Sequence, residues 1–295
     1  MSQFSITCCS TSDMSLSFYK ENDVAYAKFH FTIDGREFPD DLGQSMPFDV
    51  FYRKVSEGSQ ATTSQVSQQD YMDMWKPLLD AGRDILHITL SSGISGTINS
   101  AVNARDNLIE HFPLGKIIII DSLGASSGYG MLVTEACRLR DEGKSLEEAE
   151  KWLEENKLDL HHWFFSTDLT SYLRGGRISK TQARFGTLLK ICPLMNMNLA
   201  GELVPREKIR TKRKVIQEIV SRMEKYARDG LAYNGLCYIS HSDCLEDART
   251  VAELVETRFK NLNGKVQINS VGTVIGSHTG PGTVALFFFG DRRPL

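Results

Sequence analysis

Ile85-Leu86-His87-Ile88-Thr89-Leu90-Ser91-Ser92-Gly93-Ile94-Ser95-Gly96-Thr97 joins an apolar run of strand length to a turn rich in hydroxyl groups. A helical pattern follows, from about Thr97 to His111. Where a strand leads through small residues into a helix, the first N–H groups of that helix lack internal partners and carry partial positive charge. The serine and threonine hydroxyl groups can donate to the same oxygen atom. The segment therefore predicts an anion site, although an ordinary hydroxyl-capped helix start explains the same residues equally well.

The same turn lacks the features of a nucleotide site. It has neither the lysine of a nucleotide-triphosphate loop nor the glycine spacing of a dinucleotide fingerprint. A carboxylate or a lone phosphate group is therefore the favoured ligand.

Strand and helix patterns alternate through the first half of the chain. The run from Ile117 to Ile120 precedes a helical pattern from about Tyr129 to Glu142, and a capping box at Ser145 starts another helix that runs to Asn156. This alternation predicts βαβ units with a parallel sheet, and the unbroken isoleucine run predicts a strand buried on both faces. The loops 91–97 and 122–130 would then share the carboxyl edge of the sheet, where such folds bind ligands.

The pattern changes after about residue 160. A predicted hairpin has strands 188–197 and 203–209 around the turn 198–202, and the other predicted elements are helices 211–228 and 245–260 with strands 162–166, 236–240, 266–274 and 283–289. We therefore predict an α/β fold of two domains. Residues 1–160 form a parallel-sheet α/β domain, and residues 161–295 form an α+β domain with a mixed or antiparallel sheet.

Composition excludes several classes of function. The chain has 295 residues and a formal net charge of -3, which disfavours nucleic acid and anionic membrane surfaces as partners. It has no apolar run near the roughly 20 residues that span a bilayer and no secretory pattern in its first residues, so we expect a cytoplasmic protein without stable membrane insertion. Its six cysteines show no paired CxxC spacing, which disfavours a metal site or disulfides.

Three further segments carry candidate polar groups. The hydroxyl-rich residues 61–67, taken alone, indicate only a helix start. Arg174 and Arg177 flank Gly175-Gly176, where a guanidinium group can bind an oxyanion or simply lie at the surface. His278 lies in a glycine-rich segment, residues 276–282, which we interpret as a tight loop between strands; this histidine could bind an anion, carry a proton or fill the turn.

Taken in order, these segments resemble the DegV family of fatty-acid-binding proteins, which includes the lipid-carrying subunits of bacterial fatty acid kinase. The resemblance extends from the first strand to the last. It is carried by Ser10-Thr11, Thr63-Ser64-Gln65, Ser91 to Thr97, Asp121-Ser122, Leu173-Arg174-Gly175-Gly176-Arg177-Ile178-Ser179, Gly201-Glu202-Leu203-Val204-Pro205 and Gly276-Ser277-His278-Thr279-Gly280-Pro281-Gly282.

The resemblance implies one buried long-chain fatty acid, no catalytic residue of the chain's own, no metal and no cofactor. By carry-over, Thr63, Ser95 and Gly96 bind the carboxylate, and Arg177 and His278 form a polar rim. Weaker candidates for the same role are Ser64, Ser92, Arg174 and Thr279. A separate ATP-dependent kinase subunit is the implied partner. An acyl chain of about 14 to 18 carbons gains about 0.8 kcal/mol for each CH₂ group it buries.

Two departures and two alternatives qualify this resemblance. Cys9 stands where members commonly have aspartate before Ser10-Thr11, and Val66 replaces the usual proline. One alternative is a lipid-responsive regulatory module without a kinase partner. The other is an acyl hydrolase using Ser95 and His278, which the order Gly-x-Ser-Gly-x disfavours because nucleophile elbows read Gly-x-Ser-x-Gly. Apolar residues that could line the tunnel or simply pack the core are Phe164, Phe165, Leu188, Leu189, Ile191, Met195, Phe287 and Phe288.

Overall fold

The amino-terminal half is built on a parallel sheet of four strands. The computed structural model describes residues 4–179 and 191–294. The strands are β1 (Ser5–Cys9), β2 (Val24–Ala27), β6 (Ile85–Thr89) and β7 (Ile117–Asp121), in the order β2-β1-β6-β7. All three pairings are parallel, with Ile85 opposite Ser5 on one side and Ile117 on the other.

Helices connect the strands of this half along the chain. They are α1 (Leu16–Glu21), α2 (Phe48–Ser56), α3 (Gln68–Asp80), α4 (Thr97–His111), α5 (Ser126–Asp141) and α6 (Leu146–Asn156). The capping box predicted at Ser145 is present, because its hydroxyl accepts from Glu148 N–H and the Glu148 carboxylate accepts from Ser145 N–H.

The carboxyl-terminal half contains a mixed sheet of six strands. They are β8 (Leu160–Phe165), β9 (Ile191–Met197), β10 (Leu203–Arg210), β11 (Cys237–His241), β12 (Gln267–Ser270) and β13 (Val284–Phe289), in the order β10-β9-β8-β13-β11-β12. Only the β11–β12 pairing is parallel. The described part of this half contains the helices α7 (Thr170–Arg174), α8 (Lys212–Tyr226), α9 (Leu245–Arg258) and α10 (Thr273–Thr279).

Helix α5 lies between the two sheets and is buried along most of its length. Two glycines permit this close packing. A Cβ atom on Gly128 would lie 2.2 Å from His162 Nε2, and one on Gly130 would lie 2.6 Å from Met14 Sδ. The helix therefore joins the two halves into one packed body.

A small antiparallel sheet was not predicted from the sequence. It consists of β3 (His30–Ile33), β4 (Arg36–Pro39) and β5 (Ala61–Ser64), in the order β4-β3-β5. The interpretation of residues 61–67 as only a helix start is therefore wrong for Ala61–Ser64. Helix α3 begins later, after Ser67, whose hydroxyl caps it.

The predicted fold class is confirmed, and several details need correction. The predicted strand 266–274 ends at Ser270, and the segment 276–282 is not wholly a loop because α10 continues to Thr279. The isoleucine strand is only half-buried at Ile118 and Ile119 because β7 is an edge strand of its sheet. Residues 188–190 of the predicted hairpin lie outside the described residues. The division at residues 160 and 161 remains a prediction.

Candidate functional site

A cavity of about 720 Å³ lies between the two halves of the molecule. This volume is within the range of about 300–1,000 Å³ typical of small-molecule sites. Both halves contribute to its wall, which combines a polar cluster with apolar side chains. The apolar side chains include Phe29, Leu90, Ile94, Phe164, Tyr172, Met197, Leu203, Val271, Val274, Ile275 and Phe287.

Strand periodicity decides which aromatic residues reach this cavity. Alternate residues of a strand face opposite sides of its sheet. His162 and Phe164 on β8, with Ala285 and Phe287 on β13, present one face to the cavity. Of the apolar tunnel candidates, Phe164 and Phe287 therefore line the cavity. Phe165, Ile191, Met195 and Phe288 are not among the residues that line it, and Leu188 and Leu189 lie outside the described residues.

Thr63 and His278 form the centre of the polar cluster. Thr63 lies on β5 and His278 near the end of α10, and Thr63 Oγ1 is 2.8 Å from His278 Nε2. Helix α10 approaches closely because residue 276 is glycine: a Cβ atom there would lie 2.6 Å from the Tyr52 hydroxyl oxygen. The small sheet and α10 thus bring together two residues that are far apart in sequence.

The His278 ring is neutral at pH 7. Burial, together with the nearby Arg177 guanidinium, lowers the pKa of His278 to about 4. Nδ1 of this ring is buried against Gly175 and has no hydrogen-bond partner among the described residues. With the proton on Nε2, the ring donates to Thr63 Oγ1 and leaves the Thr63 hydroxyl proton free for a ligand.

Arg177, and not Arg174, faces the cavity. Its guanidinium donates to the carbonyl oxygens of Ile94 at 3.0 Å and Gly175 at 2.6 Å. Burial lowers the pKa of Arg177, but the group keeps its charge because arginine titrates far above neutral pH. Arg174 is exposed and does not line the cavity. The cluster therefore contains one fixed positive charge from this arginine pair.

The turn 91–97 presents Ser95 and Gly96 at the same cavity. Ser95 Oγ accepts a hydrogen bond from Thr97 N–H at 3.2 Å, so its own proton remains available to donate. Gly96 is the residue before α4 and supplies no side-chain cap to that helix. Both residues therefore lie where a ligand in the cavity could reach them, and their role as anion ligands stays a prediction.

The β9–β10 hairpin supports this turn from the other half of the molecule. The Ser91 hydroxyl donates to the carbonyl oxygen of Gly201 at 2.8 Å. A Cβ atom on Gly93 would lie 2.5 Å from the Ala200 carbonyl oxygen, and one on Gly201, where φ is +72°, would lie 2.0 Å from Ser91 Oγ. Glycine is therefore required on both sides of this contact.

The weaker candidates separate into two groups. Ser92 and Thr279 line the cavity, whereas Ser64 is exposed and, like Arg174, does not line it. Gln65 was not predicted to bind the ligand, yet it lines the cavity and donates to Ser100 Oγ at 3.0 Å. Its position in the sequence, directly after Thr63-Ser64, could have indicated that it lies at the same cavity.

Cys9, the departure from the family pattern, lies away from this cluster. It is fully buried, with Sγ 3.2 Å from the Tyr71 hydroxyl and 3.8 Å from His87 Nε2. Burial raises the pKa of its thiol to about 11, so the thiol is neutral at pH 7. Cys9 therefore packs as a small neutral group.

The chemistry available at the cluster is anion binding. Ser95 and His278 share no hydrogen bond among the residues described, so the pair expected of a serine hydrolase is not assembled. Within residues 4–179 and 191–294, no group of three or more histidine, cysteine or acidic residues is placed to hold a metal ion. In the same ranges no helix is both long and apolar enough to cross a bilayer.

Comparisons with known proteins match this chain over nearly its full length. A family model described as an uncharacterised protein of the DegV family matches residues 3–291. A DegV domain-containing protein of Clostridium perfringens is 37% identical over 293 residues, which are 99% of each chain.

Two solved structures share the fold. A DegV family protein from Thermus thermophilus, described by its fatty acid binding, has a TM-score of 0.87 at 26% identity, covering 98% of this chain and 99% of that one. A protein from Thermotoga maritima, described as revealing a fatty acid binding function, has a TM-score of 0.82 at 26% identity, covering 98% of this chain and 100% of that one.

Proposed function

Because this chain belongs to the DegV family, we propose that it binds one long-chain fatty acid in the cavity between its two halves. The carboxylate binds at Thr63, Ser95 and Gly96, with Arg177 and His278 beside it. The observation that carries this proposal is the pairing of a largely apolar cavity with a compact cluster of hydrogen-bond donors. The descriptions of the two structural relatives support the same class of ligand.

Burial of the acyl chain provides most of the affinity. Sixteen carbons at about 0.8 kcal/mol per buried CH₂ group give on the order of 10 kcal/mol before the costs of ordering are subtracted. Aromatic and aliphatic side chains, among them Phe164 and Phe287, provide the surface that this tail contacts. The tail therefore provides the larger part of the affinity, and the polar cluster adds to it and determines which end of the ligand enters which end of the cavity.

The polar cluster compensates the carboxylate for its lost hydration. A buried ionised oxygen must be hydrogen-bonded or paired to avoid a large desolvation cost. The hydroxyl groups of Thr63 and Ser95 each have a proton to donate, and the Arg177 charge favours the ionised form of the ligand. These are neutral donors around a single cation, which suits a monoanion.

We further propose that the chain presents this carboxylate to a separate ATP-dependent kinase that forms an acyl phosphate. Support comes from exposure at the polar cluster: Ser92, Gly96 and Gly176 line the cavity and are also exposed to solvent. A carboxylate held there is close to the surface. The competing proposal, a regulatory module without a kinase, places the same ligand in the same cavity.

Mass spectrometry of the purified protein tests the ligand. Denaturation and extraction should release a fatty acid of about 14 to 18 carbons. The Thr63→Ala, Ser95→Ala double variant should retain less lipid than a Ser64→Ala control, because Ser64 is exposed and does not line the cavity. A protein that carries no lipid and takes up neither palmitate nor oleate would refute the proposal.

Reconstitution tests the kinase partner. The loaded protein is incubated with labelled ATP and the ATP-binding kinase subunit purified from the same cell, and acyl phosphate is trapped with hydroxylamine. Product formation that requires both proteins supports presentation to a kinase. Binding of lipid without any such product favours the regulatory module, and ester hydrolysis by the chain alone that is lost in Ser95→Ala would favour the hydrolase.

A further inference from the structure

Two carboxyl groups are buried beside the helix that carries His278. Asp13 is 4% exposed and Asp40 is 1% exposed. Among the residues that the structure describes, neither forms an ion pair with lysine, arginine or histidine. Buried carboxyl groups without a cationic partner are costly, so their contacts call for an explanation.

Both groups bind the first residues of α10. Asp13 Oδ1 accepts the N–H group of Gly272 at 2.9 Å, and Asp40 Oδ1 accepts the hydroxyl of Thr273 at 2.8 Å. Gly272 lies so close that a Cβ atom there would be 2.7 Å from Asp13 Oδ1. The start of α10 is thus held by two side chains from the other half of the molecule.

Asp13 also ties this helix start to the cavity wall. Its second oxygen accepts the hydroxyl of Ser126, which begins α5 and lines the cavity. Ser126 Oγ in turn lies 3.0 Å from Ser240 Oγ on β11. One carboxyl group therefore connects the end of β1, the start of α5 and the start of α10.

Burial shifts the pKa of both carboxyl groups upward. Burial raises the pKa of Asp13 well above its usual range, and the nearby Asp40 raises it further. Burial likewise raises the pKa of Asp40, whose Oδ2 has no hydrogen-bond partner in the described part of the chain. Both shifts favour the neutral carboxyl form, which still accepts a hydrogen bond through its carbonyl oxygen.

The same helix sets the position of His278. Thr273 and His278 are five residues apart, about 7.5 Å along the helix axis. Further contacts restrain α10, among them the Tyr52 hydroxyl donating to Val271 O at 2.9 Å and the close approach at Gly276. A shift at the helix start is therefore transmitted to the His278–Thr63 contact.

We propose that Asp13 and Asp40 are positioning residues for the carboxylate site, which fix the start of α10 so that His278 meets Thr63. They act through the helix and do not touch the ligand. The effect on ligand affinity rests on the proposed function. The effect on the His278–Thr63 contact does not.

Matched substitutions test this assignment. Asparagine keeps the shape and the accepting oxygen of a neutral carboxyl group, so Asp13→Asn and Asp40→Asn should retain palmitate affinity. Asp13→Ala and Asp40→Ala should weaken it about tenfold, the effect of losing one hydrogen bond of ordinary strength. Asp41→Ala is the control, because Asp41 binds Ser45 N–H on its own loop and not α10.

A spectroscopic measurement separates this assignment from a general loss of stability. In protein labelled at histidine with ¹⁵N, the His278 Nε2 resonance should shift in the two alanine variants and remain in place in the asparagine variants. Thr273→Val, which deletes only the hydroxyl donor to Asp40, should reproduce the His278 shift if the alanine variants fail to fold.

Two results would overturn the assignment. One is an unchanged His278 resonance in Asp13→Ala, Asp40→Ala or Thr273→Val protein that is folded. The other is an asparagine variant that behaves like alanine. If the parent protein binds no fatty acid, the affinity comparison fails with the proposed function, whereas the resonance of His278 still decides whether the two aspartates position it.

Discussion

Removing the hydroxyl group of Thr63 should weaken fatty acid binding without removing its apolar contribution. Thr63→Val replaces the hydroxyl with a methyl group of similar size. In the parent protein this hydroxyl lies 2.8 Å from His278 Nε2 and lines the cavity. Under the proposed function, His278 is neutral with its proton on Nε2, so the hydroxyl accepts from the ring and is expected to donate to the ligand carboxylate.

The size of the effect follows from the charge on the ligand. A hydrogen bond to a charged group contributes about 1.5–3 kcal/mol, so the dissociation constant should rise about 10- to 150-fold. Thr63 is half-buried, which places the expected value in the lower part of that range. Thr63→Ser keeps the donor and should remain within about threefold of the parent protein.

The assay compares two ligands that share one tail. Palmitate and its methyl ester are titrated by displacement of a fluorescent fatty acid from delipidated protein, with the parent chain and with Thr63→Val. Only palmitate presents an ionised head group, so the substitution should weaken palmitate much more than the ester. The two ligands and the two proteins give four dissociation constants, which form a double-mutant cycle. This cycle isolates the interaction between the hydroxyl and the carboxylate.

Equal weakening of both ligands would refute this reasoning, because the hydroxyl would then act on packing and not on charge. The loss should also be the same for ligands of 14, 16 and 18 carbons, since the tail is bound elsewhere. A loss that grows with chain length would place Thr63 along the tail and not at the head group.

Three other predictions follow from the packing of the site. Gly175→Ala should weaken palmitate binding about tenfold, because its Cβ atom would lie 2.3 Å from His278 Nδ1 and displace the ring. Gly201→Ala should lower the free energy of unfolding by about 1–3 kcal/mol, because φ there is +72° and the added atom would lie 2.0 Å from a hydroxyl oxygen of the 91–97 turn. His87→Gln should reduce the pH dependence of unfolding below pH 6.5, because burial lowers the pKa of His87 to about 3 while the unfolded chain titrates near its ordinary value.

The two glycine predictions each have a control variant. For Gly175→Ala the control is Gly35→Ala, which has φ of +74°, has nothing within 4 Å of the added atom and does not line the cavity, so palmitate affinity should not change. For Gly201→Ala the control is Gly143→Ala, which has φ of +80° and open surroundings and therefore measures backbone strain alone. If Gly143→Ala lowered the free energy of unfolding as much as Gly201→Ala does, the contact with the hydroxyl oxygen would be irrelevant.

The sign of the pH effect is fixed by the depressed pKa of His87. Its contribution to stability is complete above pH 6.5 and is lost as pH falls toward 3, at about 1.4 kcal/mol per pH unit. Asp13 and Asp40 act in the opposite sense, because a raised carboxyl pKa adds stability as pH falls. Urea unfolding at pH 7.5 and at pH 5 gives the free energy of unfolding of the parent protein and of His87→Gln. If this free energy changed by the same amount between the two pH values in both proteins, the assignment to His87 would be contradicted.

Periodicity predicted the regular elements well where local and tertiary preferences agree. The turn 91–97 lies between β6 and α4 as expected, since an apolar run, small residues and a helical pattern all indicate that arrangement. The small sheet that carries Thr63 was missed because its strands have only four residues each and its core face is set by contact with α2 and α10. No local pattern specifies such a contact.

The site residues show the same limit. The family resemblance supplied Thr63 and His278, which the structure places in hydrogen-bond contact. Sequence alone could not choose between Arg174 and Arg177, because that choice depends on the end of α7 and on the carbonyl of Ile94 in the other half of the molecule. The positioning pair Asp13 and Asp40 was likewise not predicted, since its partners are more than 200 residues away.

A crystal structure of the chain with palmitate bound tests the central claim most directly. We predict one palmitate molecule in the cavity, with its carboxylate oxygens about 3 Å from Thr63 Oγ1 and Ser95 Oγ and its tail against Phe164 and Phe287. A carboxylate bound at any other place, or a cavity filled by side chains with palmitate absent, would contradict it.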